Sequence, residues 1–243
     1  GDHRDLHSFP TRRSSDLLIR GGRVVDAAAQ IDKIADVYLD DGVIQKVGEK
    51  LEAKDKDDKI IDAKGLVVMP GLVDLHVHFR DPGQTEKEDI ETGSHAAARG
   101  GVTTVVAMPN TTPVIDSPDR ANYVKNKAAQ VSAIHVLQAG AMTKGELGEE
   151  LSDIAGMAAA GVPVLSEDGK SVMKASLCKQ AMEEAVKAGL PIFDHCEDMS
   201  LRGNGCMNED ENAKRLGLPG ICNSTEDTIA ARDSLLAIET GAK

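Results

Sequence analysis

The chain has 243 residues, enough for one large domain or two small ones. It carries 28 basic and 40 acidic residues for a formal charge of −12, which argues against nucleic-acid or membrane-surface partners. No apolar run approaches the roughly eighteen residues of a membrane span, and four cysteines without paired spacing read as free thiols in a reducing cytoplasm.

Residues 1–17 show scattered charge and no periodicity, and they are too polar for a signal peptide. They read as an extraneous unstructured tail, so His3 and His7 carry no ligand role. From Leu18 to residue 64 the pattern is one of short strands, at Leu18–Arg20, Arg23–Val25, Ala35–Leu39 and Val43–Val47. Turns are expected at Gly21-Gly22 and at Asp40-Asp41-Gly42, the latter a hairpin signal. This predicts a small N-terminal β subdomain over 18–64.

Residues 65–243 alternate strand, polar loop and helix. The apolar stretch Gly65–Asp74 predicts a buried segment that turns at Pro70-Gly71 and continues as a strand into His76-Val77-His78. Helices are predicted over Glu86–Arg99, from Ser117-Pro118 with Ser as N-cap and Pro at the first helical position, over Glu146–Ala160, over Val172–Ala188, and from Thr225 to about Thr240. Strands are predicted over Val102–Met108, Ser132–Gln138, Val162–Leu165 and Pro191–His195. Such alternation indicates a parallel sheet with right-handed crossovers. A doubly wound sheet would bring a Gly-rich phosphate loop, which is missing. The polar motifs sit instead at strand C-termini, the rim where a (β/α)8 barrel gathers its chemistry. The expected fold is therefore α/β, an incomplete TIM barrel of about five strands, with the sequence reading as cut at its C-terminus.

His76 and His78 lie at i and i+2, so on a strand they share one face about 7 Å apart and can close on one metal ion. The plainer reading is a pair of strand histidines satisfied by backbone groups. Asp168 and His195 each follow a short apolar strand and project onto the same rim, although each alone also suits an ordinary strand end or turn. Together the four residues are a donor set for Zn²⁺ or a similar dication. His95, in a helix, and His135, in an apolar strand, read as structural.

The runs Pro70-Gly-Leu-Val-Asp-Leu-His-Val-His-Phe-Arg-Asp-Pro-Gly83, Gly101-Val-Thr-Thr-Val-Val-Ala-Met-Pro-Asn-Thr111, Ser166-Glu-Asp-Gly169, Asp194-His-Cys-Glu-Asp198 and Ala231-Arg-Asp233 carry a resemblance. The chain from Leu18 to Lys243 resembles the N-terminal two-thirds of a bacterial class I dihydroorotase, of the cyclic amidohydrolase superfamily. The resemblance implies two Zn²⁺ ions, with His76 and His78 on one, Asp168 bridging and His195 on the second. Glu167 is the nearest rival to Asp168, but strand neighbours face opposite sides. Lys170 is another, since many superfamily relatives bridge their metals with a carboxylated lysine. Arg80 offers a fork for the substrate carboxylate, against a salt bridge to Asp81 or Glu86. The resemblance adds Asn110 at the same end of the substrate, against plain turn chemistry.

The implied activity is reversible cyclisation of N-carbamoyl-L-aspartate to L-dihydroorotate in cytoplasmic pyrimidine biosynthesis. The family's proton-shuttle carboxylate and a further histidine are expected beyond Lys243, so this chain alone is expected to be inactive or nearly so, and poorly soluble through open sheet edges. Two alternatives are a neighbouring cyclic amidohydrolase (dihydropyrimidinase, hydantoinase or allantoinase) and a non-catalytic scaffold for aspartate transcarbamoylase. Candidate partners besides the small-molecule substrate are a second copy of the chain and aspartate transcarbamoylase.

Overall fold

The computed structural model of the protein describes residues 16–243. All but the last two residues of the expected tail lie outside the described residues. Of those two, Leu17 already pairs with Leu39 and opens the first strand. The chain divides into two units after Pro70 rather than at Gly65. Among the described residues no helix is long and apolar enough to cross a membrane.

The first unit is a sheet of five strands, β1 (Leu17–Asp26), β2 (Ile31–Asp40), β3 (Val43–Gly48), β4 (Lys59–Asp62) and β5 (Val67–Val68). β1 runs antiparallel to β2 and parallel to β4 and β5, which is why residues up to Pro70 stay with this unit. The Asp40-Asp41-Gly42 hairpin is present, with positive φ at both Asp41 and Gly42, as a tight turn between twisted strands requires. Gly21-Gly22 is not a turn. β1 continues through it with a bulge, and the Gly21 N–H is taken up by Asp36 Oδ1 at 2.7 Å. A small core of Val24, Ala35 and Val37 closes the unit.

In the second unit, β6 (Leu72–Val77), β7 (Val102–Ala107) and β8 (His135–Gln138) pair in parallel. Ala139 alone separates β8 from β9 (Gly140–Ala141), which pairs in parallel with β10 (Leu165–Ser166), itself beside β11 (Ile192–Phe193). Counting β8 and β9 as one broken strand, these are five successive parallel strands of a barrel in chain order. The connecting helices are α1 (Ile90–Arg99), α2 (Pro118–Val131), α3 (Ile154–Ala159) and α4 (Ala175–Ala188). Along β7 the side chains alternate. Val105 and Ala107 join the large core under the helices, while Val106 and Met108 pack with Ala139 and Val164 on the other face.

Several expectations shift. α1 begins at Ile90 because Asp89 and Thr92 form a reciprocal cap there, leaving Glu86–Glu88 in the loop. The helix expected from Glu146 starts only at Ile154, capped by Asp153. Glu146 itself has φ of 53°, and Leu151 bridges back to Thr143. The Gly65–Asp74 stretch is not buried: Leu72 and Val73 are about half exposed, because β6 has β7 on one side and no second strand neighbour among the described residues. After β11 comes an unforeseen excursion through α5 (Met199–Arg202), β12 (Met207–Asn208), α6 (Glu211–Leu216) and β13 (Gly220–Ile221) before α7 (Ser224–Thr240). Asp198 and Asp210 cap its two short helices.

The loops after β6 and β7 are pressed together. Thr112 N–H donates to the Pro82 carbonyl at 3.1 Å, and Gly83, at φ of 86°, lies so close that an added Cβ would sit 1.7 Å from the Thr112 carbonyl oxygen. Gly83→Ala therefore meets both a forbidden φ and an immovable backbone atom. It is expected to destabilise the protein by more than about 1 kcal/mol, lowering Tm by at least about 2 °C; an unchanged melting curve would contradict the close approach.

Candidate metal centre

β6 delivers His76, and His78 follows just beyond its end, with ring centroids 5.1 Å apart. Asp168 comes from the turn after β10 and is almost fully buried. Its Oδ1 lies 3.0 Å from His76 Nε2 and its Oδ2 3.6 Å from His78 Nε2. One ligating atom from each of the three lies within 4.8 Å of the others, the only such group in this unit among the described residues. Two imidazoles from the end of β6 and a carboxylate from the end of β10 suit a dication such as zinc. Burial holds the pKa of His78 below its ordinary value despite the pull of Asp168, and the charge of Arg80 adds to the depression. A neutral imidazole is the form that binds metal.

Asn110 sits between these groups. Its Oδ1 faces His78 Nδ1 at 3.0 Å and its Nδ2 donates to Asp168 Oδ2 at 2.5 Å. The neighbouring Glu167 points the other way, as strand alternation predicts. Its carboxylate accepts from the N–H groups of Met142 and Thr143 at 3.0 Å and from the Thr143 hydroxyl. Lys170 is also turned elsewhere, donating to the Glu146 carbonyl at 3.0 Å. Arg80 has positive φ, 56°, and pairs with neither Asp81 nor Glu86 among the described residues. Asp81 is held instead by Lys127 at 2.6 Å and by the Tyr123 hydroxyl at 3.0 Å. The guanidinium is thus not committed to the acidic neighbours expected to compete for it.

His195 does not join the three-residue group. Its Nε2 lies 3.3 Å from Glu197 Oε2, while Glu197 Oε1 meets Arg202 Nε at 3.2 Å. The Ser171 hydroxyl donates to the His195 carbonyl and accepts from Glu197 N–H, tying the turn after β10 to the segment after β11. His195 and Glu197 line a cavity of about 210 Å³ with Asn208, Cys222 and Thr225. The place of Glu197 beside His195 went unread in the sequence, although their i, i+2 spacing was a usable signal. Asp233 is buried and paired with Arg232 at 2.7 Å; burial, then the neighbouring Asp233 carboxylate, pushes Asp194 up to about 6. All four cysteines are free, and burial pushes Cys178 and Cys196 up to about 12. His95 and His135 are exposed on α1 and β8, away from the group.

A family model described as dihydro-orotase-like matches residues 65–243. The chain is 48% identical over 227 residues to a dihydroorotase of Clostridioides difficile (strain 630), covering 93% of this chain and 53% of that protein. It is 45% identical to a dihydroorotase of Solibacter usitatus (strain Ellin6076), covering 93% and 52%. The chain thus spans about half the length of the curated relatives it matches. Among solved structures, an L-hydantoinase (dihydropyrimidinase) from Arthrobacter aurescens superposes with a TM-score of 0.73 at 24% identity, covering 94% of this chain and 51% of that one. A D-hydantoinase (dihydropyrimidinase) from Thermus sp. gives 0.70 at 26%, covering 93% and 51%.

Near the centre, Glu146 is buried, and one of its carboxylate oxygens has no hydrogen-bond partner among the described residues. Burial first, then the charge of Glu167, pushes its pKa up to about 8. Between the ordinary carboxyl range and about 8 the native state therefore holds a proton that the unfolded chain has lost. Stability falls as pH rises through that window, by no more than about 1.4 kcal/mol per pH unit. Glu146→Gln is expected to melt above the wild type at pH 8, with the gap closing toward pH 5. Parallel melting temperatures from pH 5 to 8 would show that Glu146 ionises normally.

Proposed function

The chain belongs to the dihydro-orotase-like family, and on that premise we propose that the whole protein is a dihydroorotase, interconverting N-carbamoyl-L-aspartate and L-dihydroorotate. The observation that carries the reading is the convergence of His76, His78 and Asp168, three donors from two strand ends of the barrel. We assign these residues, with His195, to zinc, as two ions in the complete site. His195, whose Nε2 faces Glu197, would offer Nδ1.

When bound, the dications supply Lewis acidity toward a carbonyl and lower the pKa of water. In the opening direction water adds to the ring carbonyl carbon, the amide C–N bond breaks, and the nitrogen leaves with a proton. In closure the carbamoyl nitrogen attacks the side-chain carboxyl carbon and water departs. The described residues contribute holding and orientation. Arg80, with no competing partner at Asp81 or Glu86, takes the α-carboxylate as a fork. Asp168 holds both histidines toward one point. The side chain of Lys170, occupied at Glu146, supports Asp168 over a lysine as the group that would hold the dications and favours this activity over the neighbouring hydantoinases.

Assay of the whole protein on carbamoyl-aspartate and dihydroorotate, against hydantoin and dihydrouracil, tests the reading. Turnover is expected on the first pair. His76→Ala and Asp168→Ala should each lower kcat/KM more than about 100-fold, beyond what loss of a mere supporting contact costs. Arg80→Met should lower it about 10- to 100-fold, chiefly through KM, as expected for one lost charged hydrogen-bond pair. Turnover of hydantoin or dihydrouracil alone would move the protein to the neighbouring activity, and full turnover after metal removal would overturn the role of the dications.

A further inference from the structure

The amide of Asn110 is a donor at one end and an acceptor at the other. Its NH2 donates to Asp168 Oδ2 at 2.5 Å. The carbonyl oxygen is then fixed on His78 Nδ1 at 3.0 Å. An acceptor opposite Nδ1 requires the neutral ring to carry its proton there, which leaves the lone pair on Nε2, the nitrogen directed toward Asp168 at 3.6 Å. His76 differs: it meets Asp168 directly through Nε2 at 3.0 Å, and no amide faces its Nδ1 among the described residues. Asn110 follows β7, His78 follows β6 and Asp168 follows β10, so one amide links three strand ends. Gly169 closes in behind it, and a Cβ there would stand 3.7 Å from Nδ2.

We infer that Asn110 is a positioning residue of the metal centre, setting the tautomer of His78 and tying its ring to Asp168, and is not solely a contact for the substrate. The inference rests on the reading of His76, His78 and Asp168 as the metal-holding group. Without the amide, the His78 ring is free to turn or to move its proton to Nε2, which removes the lone pair from the side where Asp168 waits. Partners of this kind around ligating histidines typically govern metal affinity by about 10- to 100-fold.

The test compares wild type with Asn110→Leu, close in shape but unable to hydrogen-bond, in the whole protein. Asn110→Ser, smaller and still polar, serves should the Leu variant not fold. Zinc affinity is measured by competition with a chromophoric chelator, and the tautomer of His78 by long-range ¹⁵N–¹H correlation of the metal-free protein. Zinc affinity is expected to fall about 10- to 100-fold, and the His78 proton to leave Nδ1, where wild type holds it. Were Asn110 to serve substrate alone, its variant would match Arg80→Met, with zinc affinity and tautomer unchanged, and the inference would be lost while the metal reading stood. If wild type binds no zinc, or Asp168→Asn leaves zinc affinity unaltered, the metal reading itself fails.

Discussion

A carboxylate removed from water is the constraint around which this site is arranged. Asp168 is almost fully buried, and an isolated charge there would be costly. Its two oxygens are met by His76, His78 and the Asn110 amide. None of these is a fixed positive charge. The imidazoles can serve as neutral ligands and the amide only donates a hydrogen bond, so the group suits a dication better than a permanent ion pair would.

The barrel makes that arrangement possible by bringing the ends of parallel strands to one rim. Short ties then fix the connecting segments. Thr112 and Pro82 join the loops after β6 and β7, Asp81 is anchored to α2 through Tyr123 and Lys127, and Ser171 clasps the His195 segment. Arg80 emerges from this network in a left-handed conformation, and its guanidinium pairs with neither Asp81 nor Glu86 among the described residues. The scaffold thus orients the donors at one rim.

Much of this was legible in the residues. Five barrel strands appear where apolar runs end in polar motifs, and the Ser117-Pro118 helix start and the Asp40-Asp41-Gly42 hairpin follow from local chemistry. Long-range contacts were not legible. The Gly21-Gly22 bulge depends on an acceptor at Asp36, the late start of α3 on the Thr143–Leu151 bridge, and the exposure of β6 on how many neighbours it has. At the site, the i, i+2 histidines and the alternation of Glu167 and Asp168 are properties of a strand and so can be read directly. The contact of Asn110 with both His78 and Asp168, and the position of His195 outside the three-residue group, depend on how strand ends meet in space.

The centre is tested most directly by crystals of the protein grown with zinc and an anomalous difference map at the zinc edge. The account predicts a peak about 2.0–2.2 Å from His76 Nε2, His78 Nε2 and an Asp168 oxygen. Strong density at Cys196 and Cys222, with none between the two histidines and Asp168, would contradict it.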